Sequence, residues 1–170
     1  MMKRKMIVTA LTTILLLALY CIIFSFSDQD GETSGSVSLK VSKSCVELAD
    51  KISNQNWTDA VKRQLAETFE HPIRRLAHFS EYACMGILVY ILCRQWRERS
   101  RWLYLLTILW VFVSAVADEI HQSFVPGREA SFGDVVLDTA GGLCGLILCV
   151  VFEVLYRRRQ EKIQKGSLQS

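Results

Sequence analysis

Apolar residues fall into four long runs along the chain, and polar segments separate these runs. The runs cover positions 6–26, 76–93, 102–117 and 135–156. A helix needs roughly 20 predominantly apolar residues to cross the hydrocarbon core of a bilayer. The first and last runs reach that length, whereas the second contains His78 and Glu81 and the third ends at Asp118. The pattern predicts an all-α fold, namely a four-helix integral membrane bundle with short amphipathic helices in the first extracytoplasmic segment.

The segment between the first two runs has a helical repeat of its own. Its apolar residues recur every three or four positions, first at Val41, Cys45, Leu48 and Ile52 and then at Val61, Leu65 and Phe69. We predict two short amphipathic helices broken near 53–56, after a polar surface loop at 24–36. Trp57, between them, suits an interfacial anchor. We expect the two amphipathic helices to lie on the bilayer surface, to cover the outer site, or only to pack against the rest of the protein. Pro72 should end the second helix, because proline lacks an amide hydrogen.

These elements divide the chain into four parts. We predict an N-terminal transmembrane helix at 1–26, an extracytoplasmic segment at 27–75, a three-helix core at 76–156 and a basic cytoplasmic tail at 157–170. The first apolar run follows three basic residues, as it would in a signal peptide. It exceeds the usual apolar region of signal peptides, which has about 7 to 15 residues. We therefore interpret it as a retained helix, with cleavage as the alternative.

Composition and charge fit a membrane protein and orient it. Apolar residues make up 51% of the 170 positions, a share that globular domains also reach. Their concentration in four long runs therefore indicates a membrane protein. Basic residues gather at 3–5, at Arg94, Arg97, Arg99 and Arg101, and at 157–165. Short cytoplasmic loops carry an excess of such residues, and four spans place all three groups on one side. We predict a multi-pass membrane protein with both termini cytoplasmic, and no nucleic-acid binding.

Ionisable and amide side chains gather at the opposite ends of the predicted spans. They are Arg74, Arg75, His78, Glu81, Asp118, Glu119, His121, Gln122, Arg128, Asp134 and Asp138. Ionised groups facing lipid are costly, so these side chains should face inward and form one polar site. Pro126 and Gly127 predict a turn that brings Arg128 back over the bundle. Adjacent helix positions differ by about 100°, so only one of Asp118 and Glu119 should point at the centre.

The residue types of this site support three kinds of function. In a binding site, arginines hold an anionic group and other polar groups form hydrogen bonds with the ligand. The residues predicted to bind a ligand are Arg75, Glu119, Gln122, Arg128, Asp134 and Asp138, with Arg74 as a further candidate. In an enzyme acting on a lipid head group, a histidine serves as base and a carboxylate orients it. The residues predicted for catalysis are His78, Glu81, Asp118 and His121. A metal variant would use the same four residues as ligands, and no other cofactor is expected. In a purely structural network, the polar groups only hold the helix ends together.

The order of these motifs resembles the VanZ-like family of small bacterial membrane proteins. The resemblance covers nearly the whole chain and rests on 24–36, Arg75, 77–79, Glu81, Tyr82, Asp118, Glu119, Gln122, 126–128, Ser131, Asp134 and 141–142. One position departs from it, because the family usually has asparagine where this chain has Asp138. The resemblance implies a protein of the bacterial cell membrane that is associated with reduced susceptibility to the glycopeptide antibiotic teicoplanin.

The ligands that such a role suggests are a lipid-linked cell-wall intermediate or the glycopeptide itself, in addition to the lipid bilayer around the spans. Some members of the family are labelled as phosphotransbutyrylases. The sequence has no feature of that soluble acyl-transfer chemistry, so we do not expect it here.

Overall fold

The computed structural model describes residues 2–96 and 100–167. Within them the chain forms five helices and no strand: α1 (Met2–Ser27), α2 (Gly31–Ser53), α3 (Asp59–Trp96), α4 (Arg101–Gln122) and α5 (Phe132–Ser167). Four of these described helices, all except α2, are long and apolar enough to cross a membrane. The predicted all-α bundle of four membrane helices is confirmed.

The core of the bundle lies around α3, which packs against each of the other four described helices. Tyr82, Met85 and Val89 of α3 are fully buried together with Ile23 of α1 and Val111 of α4. These side chains follow a helical repeat of three to four positions on α3, so one face of that helix fills the space between α1 and α4. The remaining faces of α3 are covered by α2 and α5.

The four spanning helices alternate in direction, with α1 parallel to α4 and α3 parallel to α5. The contacts that set these directions are Tyr20 with Ser114, Phe24 with His121, Phe79 with Gly141 and Ala83 with Gly145. One end of the bundle, called the site end below, carries His78, Asp118 and Asp138. The opposite end, called the basic end, carries the start of α1 and the end of α5 together with Arg94 and Arg157.

A charged network also lies at the basic end. Glu153 accepts a 2.6 Å hydrogen bond from the Tyr90 hydroxyl and pairs with Arg94 at 3.3 Å and Arg157 at 2.6 Å. The predicted basic tail, 157–170, continues α5 as far as Ser167. Two further arginines of the predicted basic loop, Arg97 and Arg99, lie outside the described residues.

The predicted surface loop at 24–36 is wrong, because α1 continues to Ser27 and α2 already begins at Gly31. Asp30 is the cause, since its side chain accepts a 2.6 Å hydrogen bond from the Thr33 amide and so caps α2. The same hydrogen bond lowers the pKa of Asp30 from its ordinary value. The polar residues of this segment therefore start a helix rather than form a loop.

The predicted helix end at Pro72 is also wrong, because α3 runs without interruption from Asp59 through Pro72 to Trp96. The packing of α2 explains the difference. Ser42 of α2 donates a 2.7 Å hydrogen bond to the carbonyl of Ala66, so the part of α3 before the proline is held in place. The predicted boundary between 75 and 76 consequently falls inside a helix.

The predicted break at 53–56 is confirmed. Asn54 ends α2 in a left-handed conformation at φ 54°. Asp50 then joins α2 to α3, since it pairs with Lys62 at 2.6 Å and accepts a 3.0 Å hydrogen bond from the Trp57 amide.

The face that α2 buries against α3 is not its apolar stripe. The buried residues recur every four positions and are Ser34, Ser38, Ser42, Val46 and Asp50. Val41, Leu48 and Ile52 of the predicted stripe are exposed. Small serine side chains let α2 lie close to α3 and donate hydrogen bonds to it, so the exposed apolar side chains of α2 do not form this contact.

Candidate functional site

Three helices each contribute one side chain to a polar cluster at the site end. His78 of α3, Asp118 of α4 and Asp138 of α5 place their nitrogen and oxygen atoms within 4.8 Å of one another. Asp118 is 2% exposed and Asp138 is 3% exposed, and the His78 side chain is 17% exposed. We call these three residues the buried cluster.

The buried cluster contains polar atoms that no described residue satisfies. Oδ1 of Asp118, Oδ1 of Asp138 and Nδ1 of His78 are buried and have no hydrogen-bond partner among the described residues. The second oxygen of Asp118 is held, because the side-chain amide of Gln122 donates a 2.8 Å hydrogen bond to it. Burying a carboxylate without a partner costs on the order of several kcal/mol. The arrangement is therefore suited to receiving a proton or a cation.

Arginines lie next to the buried cluster. Arg75 pairs with Asp134 at 2.8 Å, and Arg74 pairs with Glu70 one helical turn away. The Nε of Arg74 is buried and has no hydrogen-bond partner within the described residues. A guanidinium has five N–H donors, so these pairings leave donors on both arginines for an anion.

Arg128 holds the loop between α4 and α5 over the end of α1. Its Nη1 donates a 2.8 Å hydrogen bond to the carbonyl of Ser27, and its Nη2 donates one of 3.2 Å to the hydroxyl of Ser34. The turn before it has Gly127 at φ 73°, which glycine adopts without strain. The predicted turn with Arg128 over the bundle is confirmed. Burial lowers the pKa of Arg128 from its ordinary value, but arginine stays charged in proteins.

Glu119 is buried beside Asp118, and this corrects the prediction that only one of the two faces inward. Asp118 is 2% exposed and Glu119 is 6% exposed. The Glu119 carboxylate accepts a hydrogen bond from the backbone amide of Ser131. The loop before α5 thus covers a second face of α4, so neighbouring positions on this helix are both enclosed.

A cavity of about 180 Å³ lies among these groups at the site end. Its lining combines Arg74, Arg75 and Arg128 with both His71 and His78. Four carboxylates complete the charged lining, namely Glu119, Glu129, Asp134 and Asp138. A ligand that enters this cavity therefore meets guanidinium donors and the histidine and aspartate of the buried cluster.

The structure does not bring all of the predicted site residues to this cavity. His121 lies toward α1, with its Nε2 3.7 Å from a carboxylate oxygen of Asp28 and its ring against Phe24. Glu81 lies 3.5 Å from Nδ1 of His78, but it lines a second pocket on the side of α2. The predicted four-residue metal set therefore does not come together, since His121 is remote from the buried cluster.

The profile of the family described as VanZ/LLP1 matches residues 12–153 of the chain. The chain belongs to the VanZ/LLP1 family. This confirms the resemblance that its motifs indicate, and the matched range includes every residue of the cavity and of the buried cluster. No curated protein and no solved structure matches the chain.

In this VanZ/LLP1 membrane protein, two ionisable residues line the cavity without having been predicted from the sequence, His71 and Glu129. His71 has a detectable signal, because His71, Arg75 and His78 fall on one face of an uninterrupted helix. The predicted helix end at Pro72 separates His71 from Arg75 and His78, so the sequence pattern did not assign the three residues to one face. Glu129 has no comparable signal, since it lies in the loop between α4 and α5 where no helical repeat applies.

Proposed function

We propose that this VanZ/LLP1 protein binds the anionic head group of a lipid-linked cell-wall intermediate in the cavity at the site end. The observation that carries the proposal is the position of three arginines, Arg74, Arg75 and Arg128, around one cavity at the ends of membrane helices. The planar guanidinium fork matches the oxygens of phosphate and carboxylate groups. The unpartnered Nε of Arg74 offers a buried donor for such a group.

The size of the cavity favours a head group over a whole antibiotic. Pockets that take drug-sized ligands have volumes of about 300–1,000 Å³, whereas this cavity has about 180 Å³. A phosphate with part of an attached sugar fits that volume. A glycopeptide such as teicoplanin is larger than typical drug-sized ligands, so it would contact only the rim.

The charge distribution supports an outward-facing cavity. Short cytoplasmic loops carry an excess of Lys and Arg, and the residues at the basic end include Arg94, Arg101 and Arg157. This excess supports a cytoplasmic basic end, with both termini, and a site end at the outer surface. A protein that holds lipid-linked intermediates there would reduce susceptibility to teicoplanin by occluding the intermediate or displacing the drug.

An enzyme acting on the same head group is the second candidate. One observation favours it, namely that His78 lies within 4.8 Å of two carboxylates in the buried cluster. A histidine held in this way is able to act as a general base toward a bound head group, and Arg128 would stabilise developing phosphate charge. The product of this reaction would be a lipid with a changed head group.

Arg75→Gln tests the proposal. A hydrogen bond to a charged group contributes about 1.5–3 kcal/mol, so losing the guanidinium should weaken binding of a lipid-linked wall precursor by about 10-fold to 100-fold. The assay is titration of the precursor onto purified protein in lipid nanodiscs. Arg157→Gln at the basic end is the matched control, because Arg157 also forms a short ion pair with a carboxylate at 2.6 Å. Equal binding by both variants would contradict the proposal.

The same variants separate function from structure in cells. If the arginines of the cavity bind a ligand, Arg75→Gln should lower protection against teicoplanin while the protein level stays normal. A fall in protein level that accounts for the lost protection would instead support a structural network. Incubating the precursor with wild-type protein and with His78→Gln, followed by mass spectrometry of the lipid, tests for the enzyme.

A further inference from the structure

The two carboxylates of the buried cluster have no ion pair with a described arginine or lysine that would balance their negative charge. Asp118 and Asp138 bring two carboxylates close together in a membrane helix bundle, where ionised groups are costly. No described arginine or lysine forms an ion pair with either of them. The arginines around the cavity are engaged elsewhere, since Arg75 pairs with Asp134 and Arg128 bonds to Ser27 and Ser34.

The unpartnered atoms of the cluster point to a ligand. Oδ1 of Asp118 and Oδ1 of Asp138 are on side chains more than nine-tenths buried, and neither has a hydrogen-bond partner among the described residues. Two carboxylate oxygens and one imidazole nitrogen form the donor set found at sites for divalent metal ions. A divalent cation would cancel both negative charges at once.

The dimensions of the cluster fit a metal ion. Bonds from such ions to nitrogen and oxygen are about 2.0–2.2 Å long, so two ligand atoms on one ion lie no more than about 4.4 Å apart. The three atoms lie within 4.8 Å of one another. Three ligand atoms around one tetrahedral ion lie about 3.3–3.6 Å apart, so the side chains would have to approach one another by no more than about 1.5 Å.

We propose that His78, Asp118 and Asp138 bind one divalent cation of the Zn²⁺ or Mn²⁺ class, with an open coordination position toward the cavity. His78 and Asp138 line the cavity, which gives the ion a path in and leaves a position for a water molecule or a ligand oxygen. Three protein ligands with an open position are typical of metal sites that also contact a substrate.

Neighbouring side chains complete the site. A metal-ligating histidine almost always has its other ring nitrogen hydrogen-bonded to a carboxylate, a carbonyl or water. The Glu81 carboxylate lies 3.5 Å from Nδ1 of His78 and would take that role when Nε2 binds the ion. Gln122 orients Asp118 through its 2.8 Å hydrogen bond. Glu81 and Gln122 are therefore positioning residues, and neither contacts the ion.

The site does not depend on the proposed binding of a lipid head group, because its ligands lie on three packed helices. If both exist, the ion and the arginines would hold the same anionic group from two sides. Metal binding can be measured without any lipid-linked precursor, so the failure of either proposal is distinguishable from the failure of the other.

The experiment is metal binding by the full chain in nanodiscs. The protein is stripped with a chelator, dialysed against Zn²⁺ or Mn²⁺, and its metal content is measured by mass spectrometry. We expect about one ion per wild-type chain, as for a site of three protein ligands, together with a rise in melting temperature that the chelator reverses. Asp138→Asn should lower the affinity at least about tenfold, since even changes around a metal site cost 10-fold to 100-fold.

Two further variants make the outcome decisive. Asp134→Asn is the matched control, since Asp134 lies one turn away on α5 but pairs with Arg75 instead, and it should keep the ion. The double variant Asp118→Asn with Asp138→Asn keeps the shape of both side chains, removes both charges and should retain background metal only. The proposal would be overturned by background metal in the folded wild-type protein, or by equal metal in the wild type and the double variant. Either result would indicate that protons, and not a metal ion, neutralise the carboxylates of the buried cluster.

Discussion

Gly145→Ala tests the contact between α3 and α5 that brings Asp138 to His78. A Cβ atom at Gly145 would lie 2.9 Å from the carbonyl carbon of Ala83. The carbonyl oxygen of Ala83 would lie closer still. Carbon atoms in contact are about 3.5–4.0 Å apart, so the two helices would have to separate by at least about 0.6–1.1 Å. Overpacking costs about 1–3 kcal/mol, while the better helix propensity of alanine recovers about 1 kcal/mol. The expected net loss of stability is up to about 2 kcal/mol.

The assay for this substitution is reversible unfolding by SDS in mixed micelles, followed by circular dichroism. Gly35→Ala is the matched control, because a Cβ at Gly35 would meet only the flexible end of the Arg74 side chain, at 3.4 Å. We expect this control to be neutral or slightly stabilising. If Gly145→Ala is as stable as Gly35→Ala, the close contact between α3 and α5 at this point is refuted.

Two other substitutions test separate parts of the fold. The hydrogen bond from Lys62 lowers the pKa of Asp50 from 3.8, so its stabilisation is complete above about pH 4 and is lost as the pH falls through the folded-state pKa. Asp50→Asn should therefore flatten the acid limb of a melting-temperature profile, and an unchanged limb would exclude this role. Tyr20→Phe removes hydrogen bonds with Ser114 and Trp110 and should cost about 1 kcal/mol in SDS unfolding; a stability equal to wild type would show that neither bond contributes.

The spans could be predicted because the bilayer imposes a length and a polarity on each of them. The third run ends at 117, just before Asp118, and the structure continues its helix by five residues to Gln122. Glu119 and Gln122 of that last turn line the cavity, so the apolar run alone underestimates the helix. Length and hydropathy therefore identify the spanning helices but not their polar ends.

The continuity of α3 could not be predicted from local sequence. Pro72 removes one amide donor, and locally this favours a helix end. The hydrogen bond from Ser42 to the carbonyl of Ala66 comes from α2, whose first residues had been predicted as a surface loop. A tertiary contact of this kind overrides the local preference, and it also moves His71 onto the face that lines the cavity.

The helical repeat could indicate which side chains share a face but not which helix covers that face. His121 belongs by spacing with Asp118, yet α1 occupies its side of α4 and places it against Phe24. Glu119 diverges from Asp118 by one helix position, yet the loop before α5 encloses it through Ser131. The order of helices around the bundle decides both cases, and the sequence pattern does not contain that order.

The side of the membrane on which the cavity opens can be measured directly by cysteine labelling. The six cysteines are replaced, and single cysteines are then introduced as Glu129→Cys in the cavity lining and Arg158→Cys near the basic end. Intact cells are treated with a membrane-impermeant maleimide. A cavity that opens outward predicts labelling at position 129 in intact cells and at position 158 only after permeabilisation. The reverse pattern would place the arginine-lined cavity in the cytoplasm and contradict the proposed orientation.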